Sequence, residues 1–533
     1  MPTLQPLRGT WLPSLQAAAV VALAHVPALT EALPVLGIFR GPLGVVLVAA
    51  TIVMTATGAA CAQAAARAGA RTRLVAALVL FSAAGLNYSR GIQATGDEIE
   101  YLLLTQSLWL ERDLDIRDNF DRGDHLEYTP GLGKMPFGTF RKDGRPISTH
   151  SPGLPLLLAP VYALGGRSAC LLLLALLAAL LADQVYRLAL QLTQDPRAAL
   201  LGWTAALGPP IFFYSFHLYP ALPSTLALVL ALRLLLASPG AWQAAAAALL
   251  AGTLPWLHVK MIPAAAVLGV VALLRLRGRP LVAFLGTALL MAAGYAAHYW
   301  IVFGDPTPLA LYGSRVPKKI RRAVPGASLP GLFLDSSFGL LPNAPVFLLA
   351  LAALIGLRRR FRELAPHVAV GLAVLAPLLV WQTWWAGHCP PARFLVPLVP
   401  LLALLVAARQ ALGEQGLARW GFPLALGGLA LAIFMSLYPD DHLMLNVRSE
   451  PTHVWEALAG RASPGHYLPR LVARQAADGR VALVWAGILA ALLALDVQAR
   501  RRPRIDRLFS GLGLPLALLV VLGLLVDGWA RAG

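Results

Sequence analysis

The chain has 533 residues, of which 58% are hydrophobic and only 13% charged, about half the charged share of an ordinary soluble domain. The apolar runs are continuous rather than alternating, which excludes a soluble enzyme and also a β-barrel. A balance of 44 basic against 26 acidic residues gives +18; in a membrane protein arginines gather in cytoplasmic loops, so the excess is read as topology and no nucleic-acid partner is expected.

In chain order, Arg8 precedes an apolar stretch running to Leu29, which reads as an uncleaved first span. Apolar stretches follow near 43–63, 74–91, 168–190, 198–216, 221–237, 241–257, 260–275, 281–302, 344–357, 367–385, 394–409, 420–438, 481–497 and 511–530. The expected fold is an all-α polytopic membrane bundle of about 12–15 spans. Amphipathic juxtamembrane helices are expected in its first large external loop. Arginine clusters at 67–73, 187–197, 275–279, 358–362, 409–419 and 500–507 all fall on one side if the spans alternate, and that side is cytoplasmic. The lysines, Lys134, Lys142, Lys260, Lys318 and Lys319, all fall on the other side. Positive charge there runs against the topological rule; binding an anion at the membrane surface is the leading reading, and solvated loop charge the competing one. Cys61, Cys170 and Cys389 show neither disulfide nor metal spacing.

The organisation read from this pattern is two extra spans in 1–73, a core in 74–302 that includes the external loop 91–150, an external basic loop 303–343, spans in 344–438, an external loop 439–480, and spans in 481–533. Segment 91–150 stands apart because it holds 11 of the 26 acidic residues. Within it, Ile99, Leu102, Leu103, Gln106 and Leu110 recur at helical spacing, as on an amphipathic helix lying on the membrane. That helix opens on Gly96-Asp97-Glu98. Carboxylates just outside a span are costly unless hydrated, paired or functional, and one held there can serve as general base to a hydroxyl. Asp97 as N-cap with Glu100 three residues on is the competing capping reading.

Further groups carry chemistry. His150-Ser151-Pro152-Gly153 leads from the acidic loop into apolar sequence, and His258-Val259-Lys260 sits in a tight external turn. An ammonium so near hydrocarbon calls for an anionic partner or for snorkelling. Arg315, Lys318, Lys319, Arg321 and Arg322 form a basic cluster suited to lipid phosphate or acidic glycan. Arg393, beside Pro390-Pro391 and after Trp384-Trp385, is a phosphate candidate through its bidentate fork. Asp440, Asp441 and His442 leave a metal conceivable there.

The order of a span, Gly-Asp-Glu opening an external helix, and a return through His150-Ser151-Pro152-Gly153-Leu154-Pro155 resembles the bacterial polyprenyl-phosphate-sugar-dependent glycosyltransferases of the GT-C superfamily. These include the protein O-mannosyltransferases of glycosyltransferase family 39 and the aminoarabinose transferase of lipid A. Leu254–Lys260, Phe338–Pro345 and Trp384–Gly387 with Arg393-Phe394-Leu395 extend the resemblance over roughly 75–410. It implies a GT-C-type bundle in the bacterial cytoplasmic membrane with the site on its periplasmic or external face, and a membrane-embedded polyprenyl-phosphate sugar as donor. It further implies a glycan, lipid or protein acceptor, and an acidic residue of the external loop as catalytic base, which Asp97 matches, with Glu98 adjacent. Donor or substrate contacts are expected from Tyr101, His150, His258, Lys260, Arg315, Lys318, Lys319 and Arg393. Where the aminoarabinose transferase pattern has Lys-Pro-Pro after the acidic loop, this chain has His150-Ser151-Pro152, so the phosphate cation is His150, Lys260 or Arg393. No cofactor is certain, and a divalent metal is left open. The rival reading is a transporter or flippase for a lipid-linked anion, for which Asp183, Arg233 and His298 are the notable ionisable groups within spans.

Overall fold

The computed structural model describes residues 12–49, 51, 68–91, 93–130, 139–237, 239–315, 325–356, 361–437, 443–448, 453–459, 464–472 and 476–532. Most of the stretch 43–63, the run Lys318–Arg322, Lys134 and the group Asp440-Asp441-His442 lie outside the described residues, as does the side chain of Arg315.

The described chain is almost wholly helical. Its main helices are α1 (Leu12–Ala24), α2 (Ala70–Gly91), α3 (Glu98–Leu110), α4 (Gly153–Thr193), α5 (Pro196–Leu207), α6 (Ala221–Leu236), α7 (Ala241–Leu257), α8 (Ile262–Arg275), α9 (Gly278–Phe303), α10 (Phe361–Val380), α11 (Val399–Ala411), α12 (Gly421–Leu437), α13 (Ala476–Ala499) and α14 (Gly513–Ala532). A two-stranded antiparallel ribbon, Thr139–Phe140 against Pro146–Ile147, sits in the acidic loop.

Among the described residues seven helical stretches are long and apolar enough to cross a membrane, or eight if the bent pair Pro503–Phe509 and Gly513–Asp527 is one span. This is a multi-pass membrane protein. The sequence pattern divides the same apolar material more finely. Several expected spans are helices of only 12 to 17 residues, such as α5, α6, α7 and α8, shorter than the roughly 20 residues that span hydrocarbon. Conversely, α4 runs for 41 residues with non-helical backbone at Gly165 and Gly166. Gly166 there takes a φ of 58° that favours glycine, and the expected span 168–190 is the helix's second half.

Helix α3 also differs from expectation. Ile99, Leu102 and Leu103 are buried, but so are Tyr101, Leu104, Thr105 and Ser107 on the other sides. The helix packs against α4 instead of lying open on a membrane surface, and only its last turn, with Trp109 and Leu110, is exposed.

Charge is sorted between the two ends of the bundle. At the end of α4 that carries Tyr186 and Arg187, Arg73 stacks over the Tyr186 ring at 3.5 Å. Nearby, Arg187 pairs with Asp183 at 2.6 Å, and Arg233 donates to Gln184. Arg409 and Asp496, both fully buried, pair at 2.6 Å and tie α13 to α11. The opposite ends of α4 and α6 meet α3 and the His258 turn, where the candidate residues gather.

Candidate functional site

Gly96 brings the acidic loop into place. Its φ of +56° is left-handed, and a Cβ there would lie 3.0 Å from both the His388 carbonyl and the Tyr219 hydroxyl, so only glycine lets α3 begin this close to the loop that carries Arg393. That loop is itself strained, with Ala386 and Ala392 at φ of 71° and 56°. Such backbone is uncommon for residues with a Cβ and clusters at functional sites.

Asp97 does not cap α3. Its backbone is already helical and its side chain makes no capping bond. Instead Arg393 Nη2 donates to Asp97 Oδ2 at 2.5 Å, and His150 Nε2 lies 3.5 Å from the same oxygen. Burial alone would raise the Asp97 carboxyl, but Arg393 and then His150 outweigh it and hold it far below the usual carboxylate range. Arg393 is nearly buried and stacks over the Tyr219 ring at 3.8 Å, and its other Nη donates to the Ala386 carbonyl at 3.2 Å.

Glu98 points the other way. Its carboxylate, with no exposed surface, accepts from the Leu218 amide at 2.9 Å, the Thr95 amide at 3.2 Å and the Tyr88 hydroxyl at 2.5 Å. These bonds fasten the start of α3 to α2 and to the turn before α6. The adjacent pair of acids is thus split between two environments.

Glu100, which the sequence offered only as a capping partner, is a site residue. Its carboxylate accepts from His150 Nδ1 at 2.9 Å and from the Ser148 hydroxyl. Tyr101 packs edge-on to the His150 ring at 4.6 Å. Burial would push the His150 imidazolium down, but Glu100 and Asp97 on either side outweigh it and raise it to about 10. A group raised in the folded state above its ordinary 6.5 contributes stability that is complete below about pH 6.5 and disappears as pH rises through about 10. Thermal unfolding of the wild type is therefore expected to fall more steeply over that window than that of His150→Gln. Parallel curves would show that the imidazolium is not held by its two acids.

His258 caps the turn that carries Lys260 by accepting from the Lys260 amide at 3.1 Å. Burial and then the Lys260 and Arg393 charges push its imidazole well below the ordinary range, so it is neutral. The Lys260 ammonium lies 3.4 Å from the Phe394 ring centre and 4.1 Å from that of Trp381. Lys260, Arg393, His258 and Phe394 line one cavity of about 40 Å³ that continues into apolar wall at Val374 and Leu378.

The structure therefore brings Asp97, Tyr101, His150, His258, Lys260 and Arg393 to one end of the bundle, with Glu98 behind them. The residues that sequence reasoning missed are Glu100, Ser148 and Tyr219; each acts across 48 or more positions or through a ring face, for which local spacing carries no signal. Among the described residues no group of three or more His, Cys, Asp or Glu is arranged to hold a metal ion.

No family model matches the chain, and no curated protein matches it in sequence. Among solved structures it is similar to ArnT from Cupriavidus metallidurans bound to undecaprenyl phosphate, at 15% identity and a TM-score of 0.43 over 87% of this chain and 78% of that one. The apo state of the same ArnT aligns at 17% identity and a TM-score of 0.40, over 86% and 76%. The apo oligosaccharyltransferase of Archaeoglobus fulgidus aligns at 15% identity and 0.42 over 80% of this chain, which spans 60% of that protein.

Proposed function

We propose that the chain is a GT-C-type membrane glycosyltransferase that moves a sugar from a polyprenyl-phosphate donor to an acceptor hydroxyl, with Asp97 as general base. The observation that supports this most is the convergence at one end of the bundle: a carboxylate, Asp97, in contact with Arg393, which with Lys260 lines a cavity opening onto apolar wall. That is the arrangement required by a lipid-linked phosphate leaving group beside a base. The arginines at the opposite end favour the cytoplasm there, which supports a site on the external or periplasmic face of a cytoplasmic membrane.

In this reaction the acceptor oxygen attacks the anomeric carbon, and its proton passes to Asp97. The bond from that carbon to the phosphate oxygen breaks, and polyprenyl phosphate leaves with the electron pair, inverting the centre. Asp97 held by two cations is a weak base. As charge grows on the departing phosphate, however, Arg393 has an increasingly strong competing partner, and its shift toward phosphate returns basicity to Asp97. Preorganised cations aimed at developing charge are the usual large term in such sites. Glu98, saturated and buried, is scaffold, and the Glu100–His150 pair positions Asp97. Arg315, Lys318 and Lys319 remain proposed contacts for the donor headgroup.

A transporter would need ionisable groups along its path through the membrane. Asp183 and Arg233 are instead engaged locally, by Arg187 and Gln184. Donor binding tests the reading. Lys260→Ala and Arg393→Ala each remove a charge-assisted contact worth about 1.5–3 kcal/mol, so the affinity for polyprenyl phosphate is expected to fall roughly ten- to a hundredfold. Wild-type affinity in both variants would make these cations structural and remove the phosphate site from this cavity.

A further inference from the structure

The loop that carries Arg393 needs support from outside itself. Ala386 and Ala392 both take left-handed φ values, 71° and 56°, and a residue with a Cβ persists there only where its surroundings over-determine it. Arg393 closes the loop on itself through the Ala386 carbonyl, and Tyr214 donates to the Pro390 carbonyl at 2.8 Å from within the bundle. Two further bonds reach the loop from external segments. The Asn446 amide donates to the Cys389 carbonyl at 3.1 Å, forming an isolated antiparallel bridge, and the Ala392 amide donates to the Phe338 carbonyl at 3.1 Å.

Both bonds lead to one knot of segments far apart in the chain. Asn446 is buried, and its Nδ2 donates to the Ser337 carbonyl at 2.7 Å. One residue thus pins the Arg393 loop through its backbone and the segment 335–338 through its side chain. That segment is wrapped around the Asp335 carboxylate, which is buried. One Asp335 oxygen accepts from the Ser337 amide at 3.0 Å and the Phe338 amide at 2.9 Å, and the other from the Val472 amide at 3.1 Å. A Cβ on Gly339 would lie 2.4 Å from the Asp335 carbonyl oxygen, so glycine is what lets the chain turn this tightly. Bonds to an ionised acceptor are the strong ones, and here they fix three donors at once. Residues 464–472 are anchored in turn to the last two helices: Tyr467 donates to Asp527 of α14 at 3.1 Å, and Trp485 of α13 donates to the Tyr467 carbonyl at 2.7 Å.

We propose that Asn446 and Asp335 are positioning residues for Arg393. They tie its loop to the external segments 443–448 and 464–472, and so hold the guanidinium where it meets Asp97 and the donor phosphate. The phosphate's part rests on the glycosyltransferase reading, whereas the ordering of the loop is independent of it. Helices α13 and α14, which supply none of the site residues named above, thereby gain a part in the reaction.

The test uses the full chain in detergent and two readouts, the first of which needs no lipid donor. Cys389 is fully buried and sits on the bridge to Asn446, so maleimide labelling of its thiol, resolved by mass spectrometry, reports loosening of the loop. Asn446→Ala is expected to raise the labelling rate at Cys389 several-fold while Cys170, fully buried in α4, stays unreactive. Asp335→Asn, which turns one acceptor oxygen into an N–H donor, should do the same. In the second readout, affinity for polyprenyl phosphate should fall roughly three- to tenfold in Asn446→Ala, the worth of a hydrogen bond. It should fall no further when Asn446→Ala is added to Arg393→Ala, because a residue acting through Arg393 then has nothing left to position. An equal extra loss on both backgrounds would make Asn446 a general support of the fold, as would Cys170 becoming reactive together with Cys389 in both variants. A Cys389 that stays unreactive in both variants would show that the loop holds without them. Each of these three outcomes overturns the proposal. Wild-type affinity in Arg393→Ala, beside a reactive Cys389 in Asn446→Ala, would instead sink the donor reading and leave the ordering of the loop established.

Discussion

Asp97→Asn is expected to give a folded, donor-binding protein whose turnover falls by about a hundred- to ten-thousandfold, the usual cost of losing a general base. Folding is expected to survive because Asp97 makes no capping bond, and asparagine, unlike alanine, keeps a side-chain oxygen that can accept from Arg393. Donor binding is expected to hold or tighten, because the substitution removes the anion that competes with phosphate for Arg393. That combination separates catalysis from support: a residue that merely held Arg393 in place would, on losing its charge, weaken donor binding along with turnover. Near-normal turnover in Asp97→Asn would move the base to the His150–Glu100 pair or return the transporter reading.

Asp496→Ala should produce the largest loss of stability. Asp496 and Arg409 have no exposed side-chain surface. Asp496 also accepts from the Leu417 amide at 2.8 Å, and Arg409 donates to the Gly413 and Gln415 carbonyls. Removing one partner strands a buried charge, at a cost of about 3–5 kcal/mol. Thermal unfolding in detergent reads this as a marked drop in midpoint. Arg409→Met combined with Asp496→Leu should recover much of it, since an apolar pair strands no charge. An unchanged midpoint in Asp496→Ala would mean that α13 is held to the core by packing alone.

The membrane character of the chain was legible because it depends on composition and on where arginines stop an apolar run, both of which are local. The same locality leaves helix lengths open, since a run of apolar residues looks alike whether its helix has 16 residues, as in α6, or continues through a glycine break, as in α4. The helix at Glu98–Leu110 was legible from its stripe, but not its burial on several sides, because the residues that cover it come from α4 and later elements. At the site, spacing singled out Asp97, His150, Lys260 and Arg393 one at a time. That Arg393 pairs with Asp97 across 296 positions, and that Glu98 and Glu100 face away from each other, are tertiary facts. Capping and catalysis at Asp97 were open alternatives on spacing; the side chain's actual partners decide against capping.

The central claim is a transfer that cleaves a lipid-linked donor, and its most direct measurement is the fate of that donor. Purified protein in phosphatidylcholine vesicles would be given a polyprenyl-phosphate sugar labelled in the sugar together with lipid, glycan and peptide acceptors. Free polyprenyl phosphate is expected to appear in step with label on the acceptor, and to fall to the background rate in Asp97→Asn. Donor that crosses the bilayer intact, with no free polyprenyl phosphate released by the wild type, would contradict the claim and make the protein a carrier.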